Sequence, residues 1–242
     1  MILKDILVKP VTIDCAQLAT KARAILKKKK ANYLIATEKG RPSGIIDLKH
    51  VIRLKDKKSN LLCKSLAEPV RAIFSPDLPL LDAAKLLLTS KSEVGIVLEA
   101  GKMRGVVDYP ALLDGFIKAR YAPKKMAVSD LKPSMLSISS KSSVSAALKL
   151  LSDAPAVAVL QGSKVVGVVS RHDFLRHSEM RQGGRHISGA TNSPAVTVVP
   201  GSTVAGAAKM MVSKGLSLLP VVEGDSFAGS ITAADLVSAY VG

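Results

Sequence analysis

The stretch Gly229-Ser230-Ile231-Thr232-Ala233-Ala234-Asp235 governs the reading of the whole chain, because an apolar run there stops at a hydroxyl and an acid follows three residues later. The same pattern stands earlier as Gly167-Val168-Val169-Ser170-Arg171-His172-Asp173. Fainter copies occur at Gly105-Val106-Val107-Asp108 and Gly44-Ile45-Ile46-Asp47, so the four glycines lie 61, 62 and 62 residues apart. A period that even marks one unit used four times. In each copy a short β-branched strand is expected to run into a helix opened by Asp47, Asp108, Ser170 or Thr232. The side-chain oxygens of these residue types accept from the free N–H groups of a first helical turn.

Working outward, each unit reads as strand, helix, strand, strand, helix. In the first, Pro10 sets an extended segment before the alternating Val11-Thr12-Ile13, and an amphipathic helix is expected over about Leu18 to Lys30. Tyr33-Leu34-Ile35-Ala36 and Gly44-Ile45-Ile46 form a hairpin around Lys39-Gly40-Arg41-Pro42, and Leu48 to Leu54 closes the unit. The second unit repeats the plan with Pro69 to Ile73 extended, a helix over Leu80 to Leu88 and a last helix from Pro110 to Arg120. Pro110 sits in a first turn, where its missing N–H costs nothing. The third has Met135-Leu136-Ser137-Ile138, a helix from Val144 to Leu151 and a hairpin through Val157 and Val168. The fourth has Pro194-Ala195-Val196-Thr197-Val198, a helix from Val204 to Val212, and Leu218-Leu219-Pro220-Val221-Val222 before the opening stretch. Domain boundaries follow at residues 1–57, 58–121, 122–180 and 181–242, with Tyr121-Ala122-Pro123-Lys124-Lys125 dividing two halves.

Composition narrows the function classes. A chain of 242 residues with 48% hydrophobic side chains can bury a core, and no apolar run reaches the 18 or so residues of a membrane span. Without the apolar region of a secretory signal at its start, the chain is expected to be cytoplasmic. Cys15 and Cys63 make neither a disulfide framework nor a zinc quartet and read as buried small apolar side chains. The formal charge of +16 is concentrated in residues 1–121, which carry 23 basic and 12 acidic side chains. Such a surface favours anionic partners without naming one. With 3% aromatic residues, single-strand binding by base stacking is disfavoured. The run Lys27-Lys28-Lys29-Lys30 suits the negative end of a helix dipole. A nucleic-acid or acidic-partner contact is the other reading of that run.

At these residues the chain resembles the cystathionine-beta-synthase (CBS) domain family, whose repeats pair into Bateman modules. The most specific pieces are Pro194 to Pro200, Leu219 to Val222 and Gly229 to Asp235, with the third repeat matching through Ser170 and Asp173. The resemblance implies an α/β (α+β) fold of four βαββα repeats in two pseudo-twofold modules. It also implies that the hydroxyl-x-x-Asp element holds an adenine nucleotide, the Asp accepting from both ribose hydroxyls while the hydroxyl and helix start meet phosphate. The physics agrees, since vicinal hydroxyls suit one carboxylate and phosphate suits free N–H groups. By this carry-over Ser170 and Asp173 would serve one site and Thr232 and Asp235 the other. The base would lie near Met135, Leu136, Ala195, Val196, Pro155, Leu219 and Pro220. Arg171, His172, Arg176, Arg185 and His186 are the candidates for further phosphate contacts.

Repeats one and two depart from the pattern, because Asp47 and Asp108 replace the hydroxyl while His50 and Ala111 replace the later acid. A carboxylate there caps a helix and repels phosphate, so the first half is expected to cap only. Hydroxyl-x-x-acid is also an ordinary capping motif, worth about 1 kcal/mol and binding nothing. No Walker-type loop or zinc-spaced cluster is present, and the histidines His50, His172, His177 and His186 fall on helix edges or links, where His50 and His177 read as surface imidazoles. The expectation is therefore a freestanding regulatory sensor, not an enzyme. It needs no cofactor, its ligand is AMP, ADP, ATP or a related adenosyl compound, and its partners are a regulated protein or a second copy in a homodimer. A basic nucleic-acid-binding protein and a ligand-free scaffold are the alternatives.

Overall fold

The computed structural model describes residues 1–54, 60–121, 123, 126–176, 186–187 and 194–242. Eleven strands and eight α-helices follow one another there in the anticipated four-fold order. Repeat one holds β1 (Thr12–Asp14), α1 (Ala19–Lys29), β2 (Tyr33–Glu38), β3 (Arg41–Asp47) and α2 (Leu48–Ile52). Repeat two holds β4 (Ile73–Phe74), α3 (Leu80–Thr89), β5 (Val94–Glu99), β6 (Lys102–Asp108) and α4 (Tyr109–Lys118). Repeat three has β7 (Ser137–Ser139), α5 (Val144–Leu150), β8 (Ala156–Gln161), β9 (Lys164–Ser170) and α6 (Arg171–Arg176). Repeat four has α7 (Val204–Lys214), β10 (Leu218–Glu223), β11 (Ser226–Thr232) and α8 (Ala233–Val241).

In the first three repeats a short strand runs parallel to the first arm of an antiparallel hairpin. The fourth departs from the expected plan: among the described residues the only ladder contact around Pro194 to Val198 is a single parallel bridge from Val198 to Val221. The hairpin arms are buried on both faces, which is why they read as unbroken apolar runs. One face of each sheet meets its own helices. The other meets the sheet of the neighbouring repeat, through Ile35, Ile45, Val94, Ile96 and Val106 in the first module and through Ala156, Ala158 and Leu218 in the second.

The leading segment of each repeat docks on its partner, not on its own sheet. Leu3 N donates to Leu78 O at 3.0 Å, and Val8 exchanges two backbone bonds with Val106. In return Cys63 N donates to Gln17 O at 2.8 Å and Glu68 exchanges two bonds with Ile45. The second module does the same, with Val128 N on Ser202 O, Ser134 paired with Ser230, and Ile187 N on Ser142 O. This exchange explains the glycines at positions 44, 105 and 229. A Cβ on Gly44 would stand 2.8 Å from the Glu68 carbonyl, and one on Gly229 would stand 2.6 Å from Pro133 Cβ. Only hydrogen leaves room for the crossing strand.

The modules meet along two seams. Helices α3 and α4 of repeat two pack on α7 and α8 of repeat four in one apolar core, where Phe116 stacks on Tyr240 with ring centroids 4.7 Å apart. Repeat one faces repeat three through α1, α2 and α6, and there polar bonds accompany the apolar core. His172 meets Asn32 at 2.9 Å, Arg53 donates to Ser152, and Lys27 Nζ reaches Arg176 O at 3.3 Å. All four lysines at the end of α1 are exposed, as a solvated helix terminus requires. Both cysteines are free and buried, and burial pushes the Cys63 thiol up to about 11. His50 departs from the surface position expected of it. It is partly buried in α2, with Nε2 2.9 Å from Glu68, because the leading segment of repeat two folds over it. His177 lies outside the described residues. No helix among the described residues is long and apolar enough to cross a membrane.

Candidate functional site

Three helix starts, one each from repeats two, three and four, converge on a cavity of about 570 Å³ where the four repeats meet. Asp108, Tyr109 and Pro110 bring in α4, Arg171 and His172 bring in α6, and Thr232 to Asp235 bring in α8. Repeat one contributes Asn32 and Tyr33 from the start of β2. The apolar wall comes from Leu113, Leu136, Pro155, Met211, Val212 and Leu216. An apolar cleft with a few converging polar groups is the usual form of a small-molecule site.

The start of α8 is built by its own sequence. Thr232 N and Thr232 Oγ1 both donate to Asp235 Oδ2, at 2.7 and 2.8 Å, and Asp235 N returns a longer bond to Thr232 Oγ1 at 3.4 Å. This reciprocal cap fixes the carboxylate on the cavity wall. Asp235 Oδ1 has no partner among the described residues and stays available as an acceptor.

The same motif in repeat three ends differently. Ser170 N and Oγ occupy Asp173 Oδ2 at 2.8 and 2.6 Å, while Arg176 Nη2 donates to Oδ1 at 3.3 Å. Asp173 is 2% exposed, and neither it nor Ser170 lines the cavity.

Arg171 is a buried polar junction between the modules. It is 4% exposed; its Nε donates to Leu151 O at 2.8 Å, and its Nη1 meets Asp47 Oδ1 and Glu93 Oε1, both at 3.2 Å. A guanidinium from repeat three thus ties the α2 cap of repeat one to the strand start of repeat two. Asp47, 6% exposed, also accepts from Lys49 N at 2.7 Å. Burial raises its carboxyl above the ordinary range, while Arg171 opposes that rise. Glu93, Asp153 and Arg171 also border a second cavity of about 310 Å³, lined further by Asp47, Lys49 and Arg71.

Repeat two faces the main cavity with Asp108, whose Oδ1 caps α4 through Ala111 N at 2.9 Å and whose Oδ2 accepts from the Tyr33 hydroxyl at 2.9 Å. Burial raises the Asp108 carboxyl, and these two donors work against it. The Tyr33 phenol is raised far above its usual value, by burial and then by Asp108. Tyr109 is pushed up to about 12, by burial and then by Glu93. His172 is lowered, by burial and then by Arg176, so its ring is neutral near pH 7.

Of the residues singled out from sequence, the structure brings Thr232, Asp235, Leu136, Pro155, Arg171 and His172 to one cavity. Met135 is 68% exposed and off its lining. Ala195 and Val196 are half-buried outside it, and Leu219 and Pro220 are buried within β10. Arg176 is spent on Asp173, and His186 Nδ1 meets Lys141 O at 2.5 Å on the far side of repeat three. Arg185 lies outside the described residues. Sequence reasoning passed over Tyr33, Glu93, Tyr109 and Met211. A signal for two of them was present, since the chain has only four tyrosines, of which Tyr33 opens a hairpin arm and Tyr109 directly follows one.

Comparison with known proteins places this geometry. Residues 128–179 and 187–242 each match the CBS domain family model. Over 97% of its length the chain is 25% identical to the uncharacterized protein MJ1404 of Methanocaldococcus jannaschii, and it spans 60% of that relative. Protein MJ1225 of the same organism, proposed as an archaeal homolog of g-AMPK, shares the fold with a TM-score of 0.85 at 14% identity, over 98% of this chain and 99% of that one. An uncharacterized conserved protein from Pyrococcus horikoshii does so with a TM-score of 0.71 at 22% identity, over the full length of both. The second half of the chain thus matches the CBS domain family twice, and the first half repeats the same unit, so that the four repeats fit the layout of two Bateman modules.

Proposed function

We propose that this chain is a regulatory protein, not a catalyst, that binds an adenosyl ligand in the central cavity. The ligand class spans AMP, ADP, ATP and related adenosyl compounds, and the signal is a change in how the two modules sit on each other. The observation that carries the reading is the open Oδ1 of Asp235, held on the wall of a cavity to which all four repeats contribute. A ribose diol can donate to that oxygen, and an adenine ring fits between Leu136, Pro155, Met211 and Leu216. Because the walls come from both modules, a ligand there binds one relative setting more tightly than others. It shifts the population by that difference in affinity alone. The adenosyl part of the reading rests on the family match and the cap geometry; the likeness to MJ1225 supports the fold.

Isothermal titration of adenosine, AMP and ATP against the parent and Asp235→Ala tests it. The substitution is expected to weaken any adenosyl ligand at least about tenfold, the scale of one lost charge-assisted hydrogen bond. Unchanged affinity in the variant would place the ligand elsewhere.

A further inference from the structure

The electrostatics of the cavity go further than its shape. Among the described residues its lining carries four carboxylates, Glu93, Asp108, Asp153 and Asp235, against one guanidinium, Arg171. Arg171 already serves Glu93 and the buried Asp47, so turning it to an incoming phosphate would strand Asp47 in the protein interior. The imidazole of His172 is bonded to Asn32 and adds no positive charge at neutral pH. The helix starts, which by themselves attract anions, are each countered locally: Asp108 accepts from the first turn of α4, Asp173 accepts from Ser170 at the start of α6, and Asp235 closes the cap of α8. Two phenol rings, Tyr33 and Tyr109, complete the lining, and aromatic rings favour a cation over an anion.

We propose that the central cavity selects adenosyl ligands without net negative charge, and favours a singly cationic one over its neutral counterpart. The inference rests on the adenosyl reading above and narrows it. The chain-wide charge of +16 does not argue otherwise, because a surface field steers encounter while the groups on the wall decide which ligand stays.

Five probes separate the outcomes in one titration series on the full chain: adenosine, AMP, ATP, S-adenosylmethionine with its sulfonium charge, and S-adenosylhomocysteine with a neutral thioether in its place. Adenosine is expected to bind at least about tenfold more tightly than AMP, with ATP weaker again, as like-charge juxtaposition requires. The sulfonium compound is expected to bind several-fold more tightly than the thioether. That gap should narrow in Asp108→Asn, which keeps a capping side chain while removing charge. Should that variant fold poorly, the same narrowing with rising salt in the parent serves instead, since screening weakens charge selection. AMP or ATP binding more tightly than adenosine, or the thioether equalling the sulfonium compound, overturns the inference and leaves the adenosyl reading standing. No binding by any of the five overturns the adenosyl reading, and the inference with it.

Discussion

Repeats three and four carry the same hydroxyl-x-x-acid sequence at the same point of the same fold, and the structure puts the two copies to different uses. In repeat four the acid is half committed, with Oδ2 closing its own helix and Oδ1 open to the cavity. In repeat three both oxygens are taken, and the following arginine reaches across to Asp47 and Glu93 of the other module. One copy reads as a binding group and the other as a joint. Two neighbours separate them: Arg171 and Arg176 in one copy, Ala233 and Ser238 in the other. A short motif fixes local geometry, and whether its atoms remain available is decided by the side chains around it, from the next turn of the helix as well as from the other module.

The sharpest break of this contrast is Arg171→Met. It keeps most of the side-chain volume and leaves Asp47 buried without its partner, so it should cost about 3–5 kcal/mol of stability by urea denaturation. Asp47→Asn in the same chain should restore a large part. If Arg171→Met costs no more than a surface substitution, repeat three is no joint.

Next come the two acids exchanged for alanine. Asp173→Ala removes the acceptor for Ser170 N, Ser170 Oγ and Arg176 Nη2 and is expected to lose about 1–3 kcal/mol while moving adenosyl affinity by less than about twofold. Asp235→Ala is expected to lose only about 1 kcal/mol, the worth of a cap, together with the larger loss of affinity given above. The reverse pattern would exchange the roles of the two repeats.

The smallest effect separates them by pH. His172 follows Arg171 in repeat three, and repeat four has Ala234 at that place. Since burial lowers the His172 pKa in the folded state, the unfolded chain takes up its proton first as pH falls below about 6.5. The stability linked to the neutral ring is thus present above that pH and lost on acidification, and His50 adds a contribution of the same sign. Urea midpoints should fall from pH 7 to pH 5, and His172→Gln should flatten part of that slope. A slope unchanged by the substitution would remove His172 from the account.

How much of this was legible beforehand follows the range of each interaction. The hairpins, their turns at residues 39–40 and 100–101, and the caps at Asp47, Asp108 and Thr232 are set within a few residues and were readable from spacing. The glycine period was readable too, although its cause was not, since Pro133 and Gly229 meet from almost a hundred positions apart. The site divided the same way. Thr232 and Asp235 were visible as a motif, whereas Asp108 and Tyr33 reach the cavity only because the two modules close on each other. Arg171 looked like a phosphate contact, and nothing local announces that Asp47, 124 positions away, holds it.

The crossing of lead segments within each module sets a rule for how such a chain can grow or shrink. A quarter excised at its sequence boundary would keep the strap that belongs on its neighbour and lose the one that covers its own sheet, exposing apolar surface at two places at once. Duplication or loss in this architecture is therefore sound only in even numbers, with the pair, not the repeat, as the smallest piece that can be inherited whole.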